Sequence, residues 1–226
     1  ENTLAGMRKA KQLGFAGVEF DVMLAGDATP ILMHDETLAR TTSGSGAIAA
    51  TAYRDMLTLD AGSWFSAQHA GEPVPSFEQA GRLCVELGLW ADIEIKPSKG
   101  FEAQTGTGAA RAARDLWRGA AVQPLLCSFQ PAALAAAREA VPELPRGGLT
   151  QTIPADWKHW MQKLGCVSLH CDYRMLLPQQ ARAVREAGYW LLCYTVNDPE
   201  TARVLLDWGV DAIVTDRLDL IAPDFS

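Results

Sequence analysis

Short apolar runs rich in β-branched residues alternate along the chain with longer Ala-, Leu- and Arg-rich runs whose apolar positions recur at helical spacing. The predicted strands are residues 17–24, 30–34, 90–96, 124–129, 146–150, 166–170, 189–196 and 211–215. The predicted helices are residues 3–14, 75–88, 130–141, 177–188 and 198–209. Several helices end at a glycine and lead at once into a strand. This alternation is typical of a parallel sheet covered by helices.

The alternation breaks between residues 35 and 75, where Gly- and Ser-rich stretches predict loops with about one helical turn. An excursion of this length inside a compact domain is usually functional. No linker or shift in composition divides the 226 residues, so we expect a single domain over 1–226 and favour one barrel. A doubly wound open sheet is the alternative fold. The lack of a glycine-rich phosphate loop after any predicted strand weakens its nucleotide-binding version.

The charge of the chain restricts its partners. The formal net charge is -7 and no run is rich in Lys or Arg, which argues against nucleic-acid binding through a basic surface. No apolar run approaches the roughly 20 residues of a membrane span, so we expect no stable membrane insertion. A small anionic substrate would need a local cation, supplied by a metal or by a few placed basic side chains.

Five cysteines lie in the sequence without a CxxC pair, and they are Cys84, Cys127, Cys166, Cys171 and Cys193. We interpret them as thiols in a reducing compartment. Because no signal peptide is visible either, we expect a cytoplasmic protein, although the abrupt start at Glu1 leaves a leader open. The oligomeric state is not indicated.

Acidic side chains recur with a period of two near the ends of two predicted strands. Glu19 and Asp21 share one face of residues 17–24, and Glu94 shares a face with Lys96 in "IEIK". The carboxyl ends of parallel barrel strands form one face, where ligands bind. Three carboxylates converging there can bind one hard divalent cation, and Lys96 beside Glu94 predicts a contact to a phosphate. A half-exposed strand with acids facing water is the alternative for residues 17–24 alone, and a solvated surface lysine is the alternative for Lys96.

Two histidines follow apolar runs. His34 ends "PILMH" and precedes Asp35, and a short link lets it return to the edge that holds Glu19 and Asp21. Because a histidine exchanges protons near neutral pH, we predict that His34 takes part in catalysis. His170 also ends a strand, where substrate contact and packing are equally open. His69 and His159 lie in polar contexts and are expected to be incidental.

The stretch from Glu1 to Gly46 resembles the N-terminal signature of bacterial glycerophosphodiester phosphodiesterases, in which an HRG…PENT…ExD…HD pattern precedes an IEIK-like strand. The similarity continues through "LDAGSWFSAQHAGEPVPSFEQA", "ADIEIKP", "LCSFQPAAL", "YTVNDPE" and "GVDAIVTDRLDL". Each motif alone is weak, but their order and spacing over nearly the whole chain make the resemblance specific.

The resemblance implies a (β/α)₈ TIM barrel with Glu19, Asp21 and Glu94 as ligands of a divalent cation, Mg²⁺ or Ca²⁺. It implies His34 as one of two catalytic histidines, Lys96 as a phosphate contact, and residues 35–75 as the family's insertion after the second barrel strand. The run 30–34 becomes the return arm of a hairpin. The first barrel strand, with the HRG motif and the other histidine, is then expected upstream of Glu1.

The expected activity is metal-dependent hydrolysis of a glycerophosphodiester to glycerol 3-phosphate and an alcohol, with Glu1 lining the site. Direct attack by water and a cyclic phosphate intermediate both remain open. One alternative is a related barrel phospholipase acting on lysophospholipid or sphingolipid head groups. The other is a binding barrel that has lost catalysis.

Overall fold

The computed structural model describes residues 1–225 and shows a curled sheet with helices on its outer side. The strands are β1 (Gly17–Leu24), β2 (Pro30–Leu32), β3 (Trp90–Ile95), β4 (Leu125–Ser128), β5 (Arg146–Thr150), β6 (Ser168–Asp172), β7 (Trp190–Tyr194) and β8 (Ala212–Ile213). The helices are α1 (Leu4–Gln12), α2 (Tyr53–Met56), α3 (Phe77–Leu87), α4 (Glu102–Leu116), α5 (Pro131–Ala140), α6 (Trp157–Leu164), α7 (Pro178–Glu186) and α8 (Pro199–Asp207). Within this range no helix combines the length and the apolar character that crossing a membrane requires.

The strands follow one another around the sheet in nearly the order of the chain. The spatial order is β2-β1-β3-β4-β5-β6-β7-β8, with β2 antiparallel to β1 and every other pair parallel. A doubly wound sheet reverses the order of its parallel strands at a switch point. Here β2 is an antiparallel hairpin arm, and the described parallel strands run in one direction from β1 through β3 to β8. The alternative fold is therefore excluded, and the predicted return arm at β2 matches the antiparallel hairpin.

A contact between β3 and β6 shows how strongly the sheet is curled. Two strands, β4 and β5, lie between β3 and β6, so a flat sheet would hold β3 and β6 about 14 Å apart. In the structure, Nδ1 of His170 on β6 lies 3.4 Å from Oδ2 of Asp92 on β3. The two side chains meet because the strands face each other across the concave side, as in a barrel.

The outer face of the first strands forms the main apolar core. Phe20 and Val22 on β1 and Ile93 and Ile95 on β3 alternate with the acidic residues and are fully buried against α3 and α4. Because successive side chains on a strand point to opposite faces, this outward apolar row directs the acidic row inward.

Residues 35–75 form a folded excursion with a small core of its own. It contains α2 and two 3₁₀ turns, Ile48–Ala50 and Ala67–His69, in agreement with the prediction of loops and a helical turn. Its buried residues pack on the β1–β2 hairpin. They are Leu38, Ile48, Met56, Ala61 and Val74, and the hairpin contributes Met23, Ala25, Ile31 and Met33. The excursion therefore fixes the hairpin that carries His34.

Gly106 on α4 allows close contact with α5. A Cβ atom at this position would overlap the backbone carbonyl oxygen of Ala133, whereas a Cβ atom at Gly108 would meet only Leu24 Cδ2 at 3.9 Å. Packing therefore requires glycine at position 106 but leaves room for a side chain at position 108.

We expect Gly106→Ala to lower the free energy of unfolding by about 1–3 kcal/mol because α5 must move. The matched control, Gly108→Ala, should raise it by about 0.5–1 kcal/mol because alanine is the better helix former. Urea unfolding of both variants measures the difference. Equal effects of the two substitutions would contradict the close packing of α4 on α5.

Candidate active site

Three carboxylates meet on the concave side of β1 and β3. The parallel register places Asp21 opposite Glu94 and Glu19 opposite Asp92. Glu19, Asp21 and Glu94 each offer an oxygen, and these oxygens lie within 4.8 Å of one another. The period of two and the strand register together bring residues 19, 21 and 94 into one group, which we call the carboxylate cluster.

Lys96 extends over this cluster from the end of β3. Its Nζ lies 3.1 Å from Oδ1 of Asp21 and 3.9 Å from Oε1 of Glu94. The ammonium group compensates part of the negative charge and remains partly accessible. An anion approaching the carboxylate cluster would meet this cation at its rim.

Asn2 fixes the orientation of Asp21. Its Nδ2 donates to Oδ2 of Asp21 at 2.8 Å, and its Oδ1 accepts from the backbone N–H of Asp21 at 3.0 Å. The backbone of Asn2 adopts a left-handed conformation, with φ of 51°, which asparagine tolerates better than most residues. Two hydrogen bonds from one amide hold Asp21 in a single orientation.

The protein environment disfavours ionisation of these carboxyl groups. Burial, followed by the charge of Asp21, raises the pKa of Glu94 to about 8. The pKa of Glu19 is also raised well above its usual range, although solvent reaches part of its side chain. Desolvation by the surrounding protein is the largest cause, followed by repulsion from Asp21, Asp92 and Glu94. Like charges this close repel one another unless protons or a cation compensate them.

His34 lies at the rim and is oriented by its neighbour. Its Nδ1 lies 2.7 Å from Oδ1 of Asp35, and 51% of its side chain is exposed. The backbone N–H of Met33 donates to the carbonyl of Asp21 at 3.2 Å, so the hairpin delivers His34 beside β1. With Nδ1 engaged by Asp35, Nε2 is the nitrogen available to a substrate.

Arg40 links Asp35, the hydrogen-bond partner of His34, to Glu1. Its Nε and Nη2 donate to the two oxygens of Asp35 at 2.7 and 2.8 Å. Its Nη1 and Nη2 donate to the two oxygens of Glu1 at 2.9 and 2.6 Å. These hydrogen bonds lower the pKa of both Asp35 and Glu1, so each carboxylate stays ionised at neutral pH.

His170 lies deeper, in a second group that we call the interior cluster: Asp92, Cys127, Ser168 and His170. Its ring is 2% exposed, and Oγ of Ser168 lies 3.0 Å from its Nε2. Burial lowers the pKa of His170 and raises that of Asp92. This placement favours packing over substrate contact for His170.

The carboxylate cluster suits a hard divalent cation. Its donors are all carboxylate oxygens, and the acidic repulsion among them is the kind that such a cation relieves. The lysine at the rim does not displace these donors, because it contacts one oxygen each of Asp21 and Glu94. The donor set fits Mg²⁺ or Ca²⁺ chemically without selecting between them.

Three residues of the site were not predicted from the sequence: Asn2, Arg40 and Asp92. Asn2 precedes Thr3, whose side chain accepts from Gly6 N–H at the start of α1, so a helix cap marks its place. Asp92 precedes Glu94 by two residues, and the same alternation that identified Glu94 indicates Asp92. Arg40 carries no local signal, because its partner Glu1 is 39 residues away.

Known proteins match this chain over nearly its whole length. Residues 1–220 match the model of the Glycerophosphoryl diester phosphodiesterase family. A glycerophosphodiester phosphodiesterase from Caldanaerobacter subterraneus subsp. tengcongensis is 29% identical over 216 residues, which cover 96% of this chain and 88% of that protein.

Solved structures show the same fold. A phosphodiesterase from Oleispira antarctica, in complex with the product sn-glycerol-3-phosphate, superposes with a TM-score of 0.92 and 35% identity, covering 96% of this chain and 87% of the other. A glycerophosphodiester phosphodiesterase from Agrobacterium tumefaciens gives a TM-score of 0.78 and 27% identity, with 97% and 92% covered. The chain therefore belongs to the glycerophosphoryl diester phosphodiesterase family and has its barrel fold.

Proposed function

We propose that this protein hydrolyses glycerophosphodiesters to glycerol 3-phosphate and an alcohol. The observation that carries the proposal is the carboxylate cluster with Lys96 at its rim and the His34–Asp35 pair on the adjoining hairpin. The Oleispira relative, whose structure contains sn-glycerol-3-phosphate, supports this choice of product.

Glu19, Asp21 and Glu94 would hold Mg²⁺ or Ca²⁺, with Asn2 keeping Asp21 in place. The bound cation supplies Lewis-acid stabilisation of phosphate charge and a template for the substrate. The three residues bind through oxygen only, which is the preference of both cations. The three carboxylates repel one another at this distance, and a bound cation would offset that repulsion.

Lys96 would bind a phosphate oxygen. Its ammonium group lies at the mouth of the cluster, where it offers a donor to an anion while still compensating Asp21. The negative charge on the phosphate oxygens is redistributed as the reaction proceeds. The ammonium group of Lys96, already in place, would stabilise this charge in the transition state.

His34 would transfer the proton. Hydrolysis forms a bond between phosphorus and the incoming oxygen, breaks the bond to the leaving alcohol, and moves one proton from the former to the latter. Nδ1 faces the ionised Asp35, so Nε2 exchanges the proton with the nucleophile or the leaving oxygen. Asp35 stabilises the imidazolium that forms.

Arg40 and Glu1 would position this pair. Arg40 holds both oxygens of Asp35 and both oxygens of Glu1, so the two carboxylates form a rigid rim beside His34. Glu1 then lines the entrance to the site. Arg40 acts on catalysis through Asp35 and is a positioning residue.

A second candidate, hydrolysis of lysophospholipids by the same site, is favoured by one observation. Leu57, Trp64 and Phe65 of the excursion are exposed, and the Trp64 and Phe65 rings form an edge-to-face pair at 5.9 Å. An assay of glycerophosphocholine against micellar lysophosphatidylcholine separates the two candidates. Turnover of the water-soluble diester supports the first, and turnover of the lysolipid alone supports the second.

We further propose that residues 1–226 form one catalytic domain that works in a reducing compartment such as the cytoplasm. Packing of residues 35–75 on the β1–β2 hairpin supports a single unit. All five cysteines are free and buried, which is compatible with reducing conditions.

We expect His34→Ala to reduce kcat for glycerophosphocholine by about 10²- to 10⁴-fold at saturating Mg²⁺ or Ca²⁺, because proton transfer at Nε2 is lost. His159→Ala is the matched control, since His159 is exposed on α6, and its kcat should equal that of the wild type. Release of choline measures both rates. Near-normal kcat in His34→Ala would remove His34 from the mechanism, and an inactive wild type with bound cation would favour a binding barrel.

We expect Arg40→Ala to reduce kcat by about 10- to 100-fold, because Asp35 and Glu1 lose the guanidinium that fixes them. Arg82→Ala removes an exposed ion pair with Glu78 on α3 and should leave kcat unchanged. The same choline assay reports both variants. A wild-type rate in Arg40→Ala would show that His34 needs no support from this rim.

We expect the cation-free protein to lose stability as pH rises. The pKa of Glu94 is raised from an ordinary value near 4.5 to about 8, so the folded state binds the extra proton between these values and the stabilisation disappears as pH approaches and passes 8. Tm in EDTA should therefore fall from pH 6 to pH 9, and less steeply in Glu94→Gln. A matched Glu78→Gln variant on the surface should keep the wild-type slope.

Addition of Mg²⁺ or Ca²⁺ to the same samples should raise Tm more at pH 9 than at pH 6, because protons compete with the cation for the carboxylates. An identical rise in Tm at pH 6 and pH 9 would mean that the cation binds outside the carboxylate cluster.

A further inference from the structure

The interior cluster plays no part in the mechanism proposed above, yet it holds a buried acid. Asp92 is 2% exposed, and neither of its carboxylate oxygens has a hydrogen-bond partner among the described residues. A buried carboxylate without a partner is costly, because it has lost its water and gained no donor. Either a proton or a cation must compensate it.

Three different donor atoms converge on this acid. Asp92 offers an oxygen, Cys127 its Sγ and His170 a ring nitrogen, and these atoms lie within 4.8 Å of one another. Nδ1 of His170 is 3.4 Å from Oδ2 of Asp92. Two ligands of a tetrahedral zinc ion, each at about 2.0–2.1 Å, are separated by roughly 3.3–3.5 Å, so the observed spacing is that of neighbouring ligands.

Ser168 contacts the other ring nitrogen of His170. Its Oγ lies 3.0 Å from Nε2, and in the tautomer that carries its proton on Nε2 the ring donates to this hydroxyl and turns the lone pair of Nδ1 toward Asp92. Histidine ligands of metals are commonly oriented in this way through their second nitrogen.

Gly147 on β5 provides the space for this arrangement. A Cβ atom there would lie 2.7 Å from Oγ of Ser168 and 2.8 Å from Nε2 of His170. Either side chain would have to move, and the contact between Ser168 and His170 would be lost. The backbone of β5 thus accommodates the orientation that presents Nδ1.

We propose that Asp92, Cys127 and His170 form a second cation site, for a borderline divalent ion such as Zn²⁺, inside the barrel and separate from the carboxylate cluster. The two groups differ in chemistry, because one offers only oxygen and the other offers oxygen, nitrogen and sulfur. Mg²⁺ and Ca²⁺ prefer the first set, whereas Zn²⁺ and Co²⁺ prefer the second.

The surroundings favour a cation at this position. Glu94 lies opposite Cys127 in the β3–β4 register, and Glu19 lies opposite Asp92 in the β1–β3 register. A thiol gives up its proton when it coordinates a divalent ion, so Cys127 would bind the cation as a thiolate.

Cobalt binding tests the proposal without an enzyme assay. Reduced protein is titrated with Co²⁺ in excess Mg²⁺, which occupies oxygen-only sites, and the absorption spectrum is recorded. We expect a thiolate-to-cobalt charge-transfer band in the near ultraviolet, saturation at one Co²⁺ per chain, and displacement by Zn²⁺. Because absorbance is the readout, failure here is distinguishable from failure of the proposed hydrolase activity. Absence of the band would overturn the proposal and leave Asp92 compensated by a proton.

Variants identify the ligands. Cys127→Ser should abolish the band, and Asp92→Asn, which keeps the shape of the side chain, should weaken Co²⁺ binding at least tenfold. Cys193→Ser is the matched control, because Cys193 and Cys171 form another buried thiol pair with sulfurs 4.0 Å apart. Circular dichroism verifies the fold of each variant, and Asp92→Asn decides the question if Cys127→Ser does not fold. A band that survives Asp92→Asn unchanged, or that disappears in folded Cys193→Ser, would overturn the assignment.

Discussion

The register between β1 and β3 is the constraint on which the site depends. It sets Asp21 opposite Glu94 on a concave surface from which most water is excluded. Carboxylates in neighbouring strand positions repel one another, and burial increases the cost of each charge. The apolar face opposite them, with Phe20, Val22, Ile93 and Ile95, maintains the register because a slip of one residue would turn these side chains inward. Core packing thus holds together acids that would separate by themselves.

Compensation of these acids decreases with depth in the barrel. At the rim, Asp35 and Glu1 each accept two hydrogen bonds from Arg40. One layer below, Asp21 receives hydrogen bonds from Asn2 and Lys96 but faces Glu94 without a second cation. Deeper still, Asp92 has only the more distant His170 and Cys127 beside it. The need for compensation by a proton or a cation therefore increases inward, and the available donor set changes from oxygen alone to oxygen, nitrogen and sulfur.

Local pattern predicted most of the fold, since apolar runs and helix ends are local signals. The limits of β1 and β5 agree with the predicted 17–24 and 146–150, whereas β6 begins and ends two residues later than predicted. Helix α4 was missed because "QTGTG" has low helix propensity, and α6 because it is short. In the site, the period of two identified the carboxylates. Contacts between distant residues, such as Arg40 with Glu1, have no such period and needed the folded chain.

The groups proposed to bind the cation and to transfer the proton lie on different parts of the fold. The carboxylate cluster and Lys96 lie on barrel strands whose order is fixed by the whole sheet. His34 and Asp35 follow a three-residue strand that pairs with the end of β1 and forms one isolated bridge with Ser76, and so short a hairpin is marginally stable alone. The small core of Ile31, Met33, Leu38 and their neighbours stabilises it from the other side. The fold therefore supports the proposed proton-transfer residue through the excursion and the proposed cation ligands through the barrel sheet, so the proposal predicts that loss of the small core impairs turnover more than cation binding.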